Sequence, residues 1–112
     1  MPQFLLMLRD TGSFPEHMSP EEMQGIFERY GAWMAKVRAT GEKLHDGEGR
    51  VVMRKDSGVA VTDGPYAEAK EVIGGYFLIE AADYESAARL TEDCPHLEFG
   101  SVEIRRIEVM QQ

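Results

Sequence analysis

Two runs of consecutive apolar residues stand out in the hydrophobic pattern of the chain. The first covers Gln3 to Arg9, and the second covers Ile73 to Glu80 and includes Gly74 and Gly75 near its start. Both runs are too short for a typical helix and lack the alternation of a half-exposed strand, so they predict strands that are covered on both faces. The two glycines predict a bulge or a close backbone approach.

Between these runs, apolar residues recur at every third or fourth position, which is typical of one face of a helix. Ser19 supplies an N-cap hydroxyl, Pro20 suits the first helical position, and Glu22 lies three residues after the cap. Gly41 is the expected stop. The predicted core face consists of Met23, Ile26, Phe27, Tyr30, Trp33, Met34 and Val37.

Short extended segments follow this helix. Lys43 to Asp46 predicts a short strand, and Arg50 to Lys55 predicts a longer one that pairs with Gly58 to Thr62 through a hairpin turn. Asp83 is the expected N-cap of a second helix that reaches about residue 93. Its predicted inward face consists of Tyr84, Ala87, Ala88 and Leu90.

The last strand, Ser101 to Val109, carries charged residues and is expected at a sheet edge. The element order predicts a single α+β domain over residues 1–112, with a ferredoxin-like sheet, an extra hairpin and both helices on one face. The two apolar runs are then the central strands, and they place apolar side chains on both faces. Leaving the uncovered face in water would cost several kcal/mol at roughly 25 cal/mol per Å².

We therefore expect a twofold homodimer in which the sheets pack face to face, although an edge-to-edge dimer or a long covering loop would also bury that face. The charge composition of the chain indicates which classes of partner, other than a second copy, are not expected. The formal charge is −8, with 12 Lys and Arg against 20 Asp and Glu spread along the chain, so neither nucleic acid nor a membrane surface is expected. No apolar run is long enough to span a membrane and no signal-peptide pattern is present, which predicts a cytoplasmic protein.

Several motifs resemble the DGPF family of YCII-related proteins. They are the segments Met18 to Met23, Val61 to Glu71, Ile73 to Tyr76, Cys94 to Leu97 and Ser101 to Arg105, with Tyr66 where the family usually has Phe. The resemblance covers essentially the whole chain and implies a dimeric α+β barrel. That superfamily includes cofactor-free monooxygenases and muconolactone isomerase-like enzymes, while some DGPF relatives are linked to extracytoplasmic-function sigma factors.

The ferredoxin-like order brings three loops to one end of the sheet. They carry the charged, aromatic and histidine residues Arg9, Asp10, His17, Asp63, Tyr66, Glu68, Lys70, Glu71 and His96. A histidine oriented by a carboxylate suits general acid–base chemistry. We predict His96 as the acid–base group and Asp63 as its partner. The predicted ligand-binding residues are Arg9, His17, Tyr66, Glu68 and Lys70.

Structural alternatives stay open for these residues. His96 is equally compatible with capping the end of the second helix, and Asp63 with turn chemistry. His45, with Asp46 and Glu48, is a second carboxylate–histidine group that is expected on the opposite side of the fold. The lone Cys94 is expected to be a small buried apolar residue. Histidine spacing and glycine patterns predict neither a metal nor a nucleotide cofactor.

The sequence thus predicts a protein that binds a small organic molecule in a pocket between loops. Acid–base or cofactor-independent chemistry in that pocket is one hypothesis. The other hypothesis is a non-catalytic, ligand-sensing or regulatory module, with the link to sigma-factor regulation that the resemblance implies. Whether the protein is an enzyme stays open.

Overall fold

The computed structural model describes residues 1–10, 18–45, 48–63 and 72–110. The elements in chain order are β1 (Gln3–Asp10), α1 (Pro20–Val37), β2 (Thr40–Lys43), β3 (Arg50–Lys55), β4 (Gly58–Asp63), β5 (Val72–Glu80), α2 (Tyr84–Thr91), a 3₁₀ helix (Pro95–Glu98) and β6 (Gly100–Arg106). An antiparallel sheet has the strand order β2-β5-β1-β6, and β3 pairs with β4 as a separate hairpin. The predicted ferredoxin-like α+β fold with central β1 and β5 is confirmed.

Helix α1 begins as its cap predicts, because the Ser19 side chain accepts a hydrogen bond from the backbone N–H of Glu22. The helix ends at Val37 rather than near Gly41, since Arg38 adopts the left-handed conformation with φ of 58°. Gly41 lies in β2, where an added Cβ would be 2.8 Å from the Phe77 Cα. The glycine therefore permits close strand approach instead of ending the helix.

Both helices pack on the same face of the sheet. Alternate residues of β1 point to this face, where Phe4, Leu6 and Leu8 are buried. They form a single core with side chains from β5, α1 and α2, namely Phe77, Ile79, Trp33, Val37 and Ala87. In α2, Thr91 is buried instead of the predicted Ala88, because Thr91 lies one helical turn after Ala87 and shares its side of the helix.

The opposite surface of the sheet carries Leu5, Met7, Tyr76 and Leu78, and we call it the open face. All four side chains are half-buried in the single chain. Within the described ranges, neither helix lies over them, since both belong to the core on the other side. Both faces of the sheet therefore carry apolar side chains, as the sequence predicts.

The β3–β4 hairpin turns at Asp56, whose φ is 55°. Its register places Val52, Val59 and Val61 on one face of the ribbon, and these three side chains are between 60% and 65% exposed. A two-stranded ribbon with exposed apolar residues is only marginally stable by itself. In the described part of the chain, none of the helices is long and apolar enough to cross a membrane.

Candidate functional site

Strands β1, β5 and β6 meet at one end of the sheet. Asp10, the last residue of β1, pairs with Val72 at the start of β5 and with Gly100 at the start of β6. The 3₁₀ helix, which immediately precedes β6, contributes His96 to the same end. The described ends of these loops thus converge as the topology predicts.

His96 is 3% exposed, and both of its ring nitrogens have partners. Nε2 lies 3.0 Å from the backbone carbonyl oxygen of Arg9 and 3.3 Å from Oδ1 of Asp10, while Nδ1 lies 3.0 Å from the hydroxyl of Tyr30. A carbonyl oxygen only accepts hydrogen bonds, so Nε2 carries a proton. His96 therefore bonds to β1 and α1, and the alternative prediction that it caps the second helix is not what the structure shows.

Tyr30 completes this chain of contacts from the helix side. Burial is the main cause that raises the pKa of its hydroxyl, and the nearby Cys94 and Asp10 raise it further. The neutral hydroxyl therefore donates to Nδ1 when the His96 ring is neutral.

A cavity of about 200 Å³ opens beside these residues, between α1 and the ends of β1, β2 and β5. Its walls are mainly apolar, from Leu8, Ile26, Phe27, Met34 and Phe77, and its polar lining includes Asp10, Tyr30, His96, Glu42 and Lys43. The Asp10 side chain is 32% exposed, whereas that of His96 is 4% exposed. Asp10 and His96 both line the cavity, and the carboxylate is the more exposed of the two.

The model of the YCII-related domain family matches residues 4–111. The chain belongs to this family. The predicted resemblance to YCII-related proteins is confirmed. The comparison with curated proteins finds no match. Among solved structures, the 5-chloro-2-hydroxyhydroquinone dehydrochlorinase of Burkholderia phenoliruptrix AC1100, in complex with 2,5-dihydroxybenzoquinone, is 16% identical, with 95% of this chain and 93% of that chain covered and a TM-score of 0.42.

Asp63 does not reach His96 in this YCII-related domain. It ends β4, its side chain is 92% exposed, and Oδ1 lies 3.4 Å from an Arg50 nitrogen. The carboxylate beside His96 belongs to Asp10 instead. The physical reason is that the hairpin carrying Asp63 forms its own two-stranded sheet and is not part of the four-stranded sheet that ends at His96.

Arg9, a predicted ligand-binding residue, pairs through Nη2 with Oε1 of Glu103 at 2.7 Å. The hydrogen bond from Arg9, followed by that from Arg105, holds the pKa of Glu103 below its usual range. The β1–β6 register puts Glu103 opposite Met7, on the open face and away from the cavity. The other predicted ligand-binding residues, His17, Tyr66, Glu68 and Lys70, lie outside the described residues.

The prediction for His45 is wrong in its location. The backbone N–H of Leu44 donates to the carbonyl oxygen of Gly74 at 2.9 Å, so the segment carrying His45 lies at the same end of the sheet as His96. His45 Nδ1 is 3.6 Å from Oε1 of Glu48, and both side chains are exposed. Among the described residues, no three His, Cys, Asp or Glu side chains converge as metal ligands would.

Sequence reasoning underrated two residues, Asp10 and Tyr30. Asp10 continues the even-numbered positions of β1 that carry Phe4, Leu6 and Leu8, and that alternation is the signal that points its side chain toward the helices. Tyr30 belongs to the predicted core face of α1. A phenol on a buried helix face needs a hydrogen-bond partner, and this need is the signal that could have linked it to a buried histidine.

The raised pKa of Tyr30 makes a prediction about alkaline stability. The folded protein favours the neutral phenol, so this contribution is fully present below the ordinary pKa of 10.0 and is lost as pH rises above that value toward the pKa of the folded state. We expect the free energy of unfolding to fall less steeply above pH 10.0 in Tyr30→Phe than in the wild type. Urea unfolding at several pH values above 10.0 measures this free energy, and an equal fall with pH in Tyr30→Phe and the wild type would contradict the prediction.

Proposed function

We propose that this YCII-related domain binds a small single-ring organic molecule in the cavity and exchanges a proton with it through Asp10. One observation carries the proposal: the Asp10 carboxylate lines a mainly apolar cavity, and its Oδ1 lies 3.3 Å from the Nε2 of buried His96. The proposal reverses the roles predicted from sequence. Asp10 faces the ligand as the proton acceptor, while His96 orients that carboxylate and Tyr30 orients His96.

The contacts support this order of groups. Nε2–H of His96 donates to the Arg9 carbonyl oxygen at 3.0 Å, which fixes the ring relative to the end of β1 and leaves Oδ1 of Asp10 3.3 Å from the same nitrogen. A proton taken from a ligand C–H or O–H bond would move to a carboxylate oxygen of Asp10, leaving the electron pair on the ligand as an enolate or phenolate. If the proton on Asp10 first exchanges with solvent, return of a solvent-derived proton to the same ligand atom gives hydrogen exchange, and delivery of a proton to another atom gives isomerisation.

Cavity size and chemistry favour the proposed ligand class. A dry cavity of about 150 Å³ accepts a benzene molecule, and the volume here is about 200 Å³. Phe27, Phe77 and Met34 offer apolar contact to a ring, whereas the Asp10 carboxylate disfavours a strongly anionic one. A neutral ring with a carbonyl or hydroxyl group fits these walls.

The test uses cyclohexanone and catechol as probes in an NMR titration of the labelled protein. We expect shifts at the cavity residues Tyr30, Met34 and Phe77, and binding weakened by about tenfold or more in Ile26→Trp, because an indole at this lining position occupies ring-sized space. The matched control is Met23→Trp. Met23 is one turn earlier on α1, is 41% exposed and is not among the cavity residues.

Two results would count against the proposed binding. One is the absence of shifts at the cavity up to the solubility limit of both probes. The other is equal weakening by the substitutions at Ile26 and Met23, which would place the probe elsewhere on α1. Shifts confined to the hairpin valines would likewise remove the cavity as the binding site.

We also propose that two copies of the chain pack through their open faces. The support is the half-buried apolar set Leu5, Met7, Tyr76 and Leu78 on a sheet whose two helices lie on the other side. A second sheet at about 10 Å would complete a two-layer core. This packing matches the dimeric barrel that the sequence resemblance implies.

Ligand sensing without turnover is the second candidate function, and the exposed valine face of the hairpin favours it. Val52, Val59 and Val61 form an apolar patch on an element separate from the sheet, as a protein-binding arm would. Exchange of ligand hydrogens with D₂O distinguishes the two candidate functions. A sensor binds cyclohexanone but does not accelerate exchange of its α-hydrogens with D₂O, whereas the proposed proton transfer does both.

A further inference from the structure

The start of β5 contains a bulge opposite the Asp10 end of β1. Leu8 pairs with Gly75 and Arg9 pairs with Ile73, so Gly74 is the additional residue on β5 and has no partner across the ladder. Its carbonyl oxygen accepts the hydrogen bond from Leu44 of the segment after β2. Gly74 also lines the cavity, so the bulge lies directly at the candidate site.

The space above Gly74 is occupied by the carboxylate of Asp10. A Cβ built on Gly74 would lie under 3.0 Å from Oδ2, 2.9 Å from Cγ and 3.2 Å from Oδ1 of Asp10. On its other side, Oδ1 of the same carboxylate lies 3.3 Å from Nε2 of His96. The carboxylate is thus held between a glycine that has no side chain and a buried imidazole.

The backbone conformation does not require glycine here. The φ of Gly74 lies outside the range between +20° and +160° that side chains rarely adopt. An alanine is therefore allowed by the backbone, and the Asp10 carboxylate accounts for all three of the nearest atoms that its methyl group would meet. Gly75 differs, because a Cβ there would meet the backbone oxygen of Glu42 at 2.9 Å.

We propose that Gly74 is a positioning residue, whose missing side chain lets the bulge seat the Asp10 carboxylate against Nε2 of His96. A methyl group at residue 74 would occupy the space that the carboxylate now fills, and because the buried imidazole blocks the opposite side, the carboxylate must leave its contact with Nε2. The geometric part of the inference stands on the contacts of Gly74, Asp10 and His96. Its functional part, that the displaced carboxylate transfers protons more slowly, rests on the proposed function.

The first test is a double-mutant cycle measured by urea unfolding. We expect Gly74→Ala to lower the folding equilibrium constant by about tenfold or more in the wild type, and by less than about threefold in an Asp10→Ala background, where the obstructing carboxylate is gone. Gly25→Ala is the control, since a Cβ there has no neighbour within 4 Å. An equal cost of Gly74→Ala in both backgrounds would overturn the proposal.

The second test follows the ring of His96 by ¹⁵N NMR at a fixed pH. We expect Gly74→Ala to move the Nε2 resonance toward its position in Asp10→Ala, and Gly25→Ala to leave it unchanged. A wild-type Nε2 signal in folded Gly74→Ala would overturn the proposal. If Gly74→Ala alone is too unstable to study, the unfolding cycle still decides, because recovery of stability on adding Asp10→Ala identifies the carboxylate as the obstruction.

Neither test uses a substrate, so both are independent of the proposed function. If both tests give the expected result, the cyclohexanone exchange assay measures the functional consequence. We expect the exchange rate to fall by about tenfold or more in Gly74→Ala. Confirmed positioning without any exchange activity in the wild type would leave Gly74 as a positioning residue and reject proton transfer. Exchange activity that Gly74→Ala does not alter would reject the functional part alone.

Discussion

Asp10→Asn is expected to lower the rate of α-hydrogen exchange on cyclohexanone by about 100-fold or more while leaving the protein folded. The amide oxygen of Asn can keep the polar contact with Nε2 of His96, but the amide cannot take up a proton from the ligand. We therefore expect the free energy of unfolding to change by no more than about 1 kcal/mol. NMR of the exchange reaction in D₂O and urea unfolding measure the two quantities separately.

The matched control is Asp63→Asn, the same chemical change at the carboxylate that sequence reasoning assigned as partner of His96. Because Asp63 is 92% exposed and lies beside Arg50, we expect this variant to keep wild-type exchange activity. An active Asp10→Asn protein, or an equal loss in Asp63→Asn, would contradict the proposed role of Asp10. The variants Asp10→Asn and Asp63→Asn thus compare the two candidate carboxylates directly.

A substitution of His96 is a less suitable test of the proposed proton transfer, although the sequence predicts His96 as the acid–base group. Removing a side chain that is 3% exposed would take away a hydrogen bond to the Arg9 carbonyl oxygen and leave the Tyr30 hydroxyl without its histidine partner. Each buried unsatisfied group costs about 1–3 kcal/mol. Loss of activity in His96→Ala would therefore mix structural damage with lost chemistry, whichever role His96 has.

The sequence predicted the scaffold well because the scaffold depends on local pattern. The continuous apolar runs identified β1 and β5 as central strands, and the Ser19 cap identified the start of α1. The end of α1 was harder to predict. Arg38 in the left-handed conformation terminates the helix, and Gly41 serves strand contact with Phe77, a requirement that appears only when β2 and β5 are brought together.

The site was predicted in part, for a related reason. Topology correctly brought the ends of β1 and β5 and the loop carrying His96 to one end of the sheet. The partner of His96 depended on which carboxylate points inward, and strand alternation selects Asp10 for that position. Asp63 belongs to a hairpin outside the main sheet, so its closeness in sequence to β5 does not bring it near His96.

Leu5→Lys is expected to raise the dissociation constant of the proposed homodimer by about 100-fold or more. Leu5 lies on β1 at the open face, paired with Leu78 on one side and with Arg105 on the other. In a face-to-face dimer, the substitution would bury an unpaired ammonium group near a like charge. In the single chain it costs little, because Leu5 is only half-buried and the lysine stem can cover neighbouring apolar atoms while its charge reaches water.

Sedimentation equilibrium across a concentration series separates the possible assemblies. Val109→Lys is the control, since it adds the same charge at a side chain that is 81% exposed in the segment after β6. We expect this variant to dimerise like the wild type. A Leu5→Lys protein that still dimerises would contradict open-face packing. Dissociation by Val61→Lys instead would place the contact on the hairpin, because that substitution charges the exposed valine face and leaves the open face apolar.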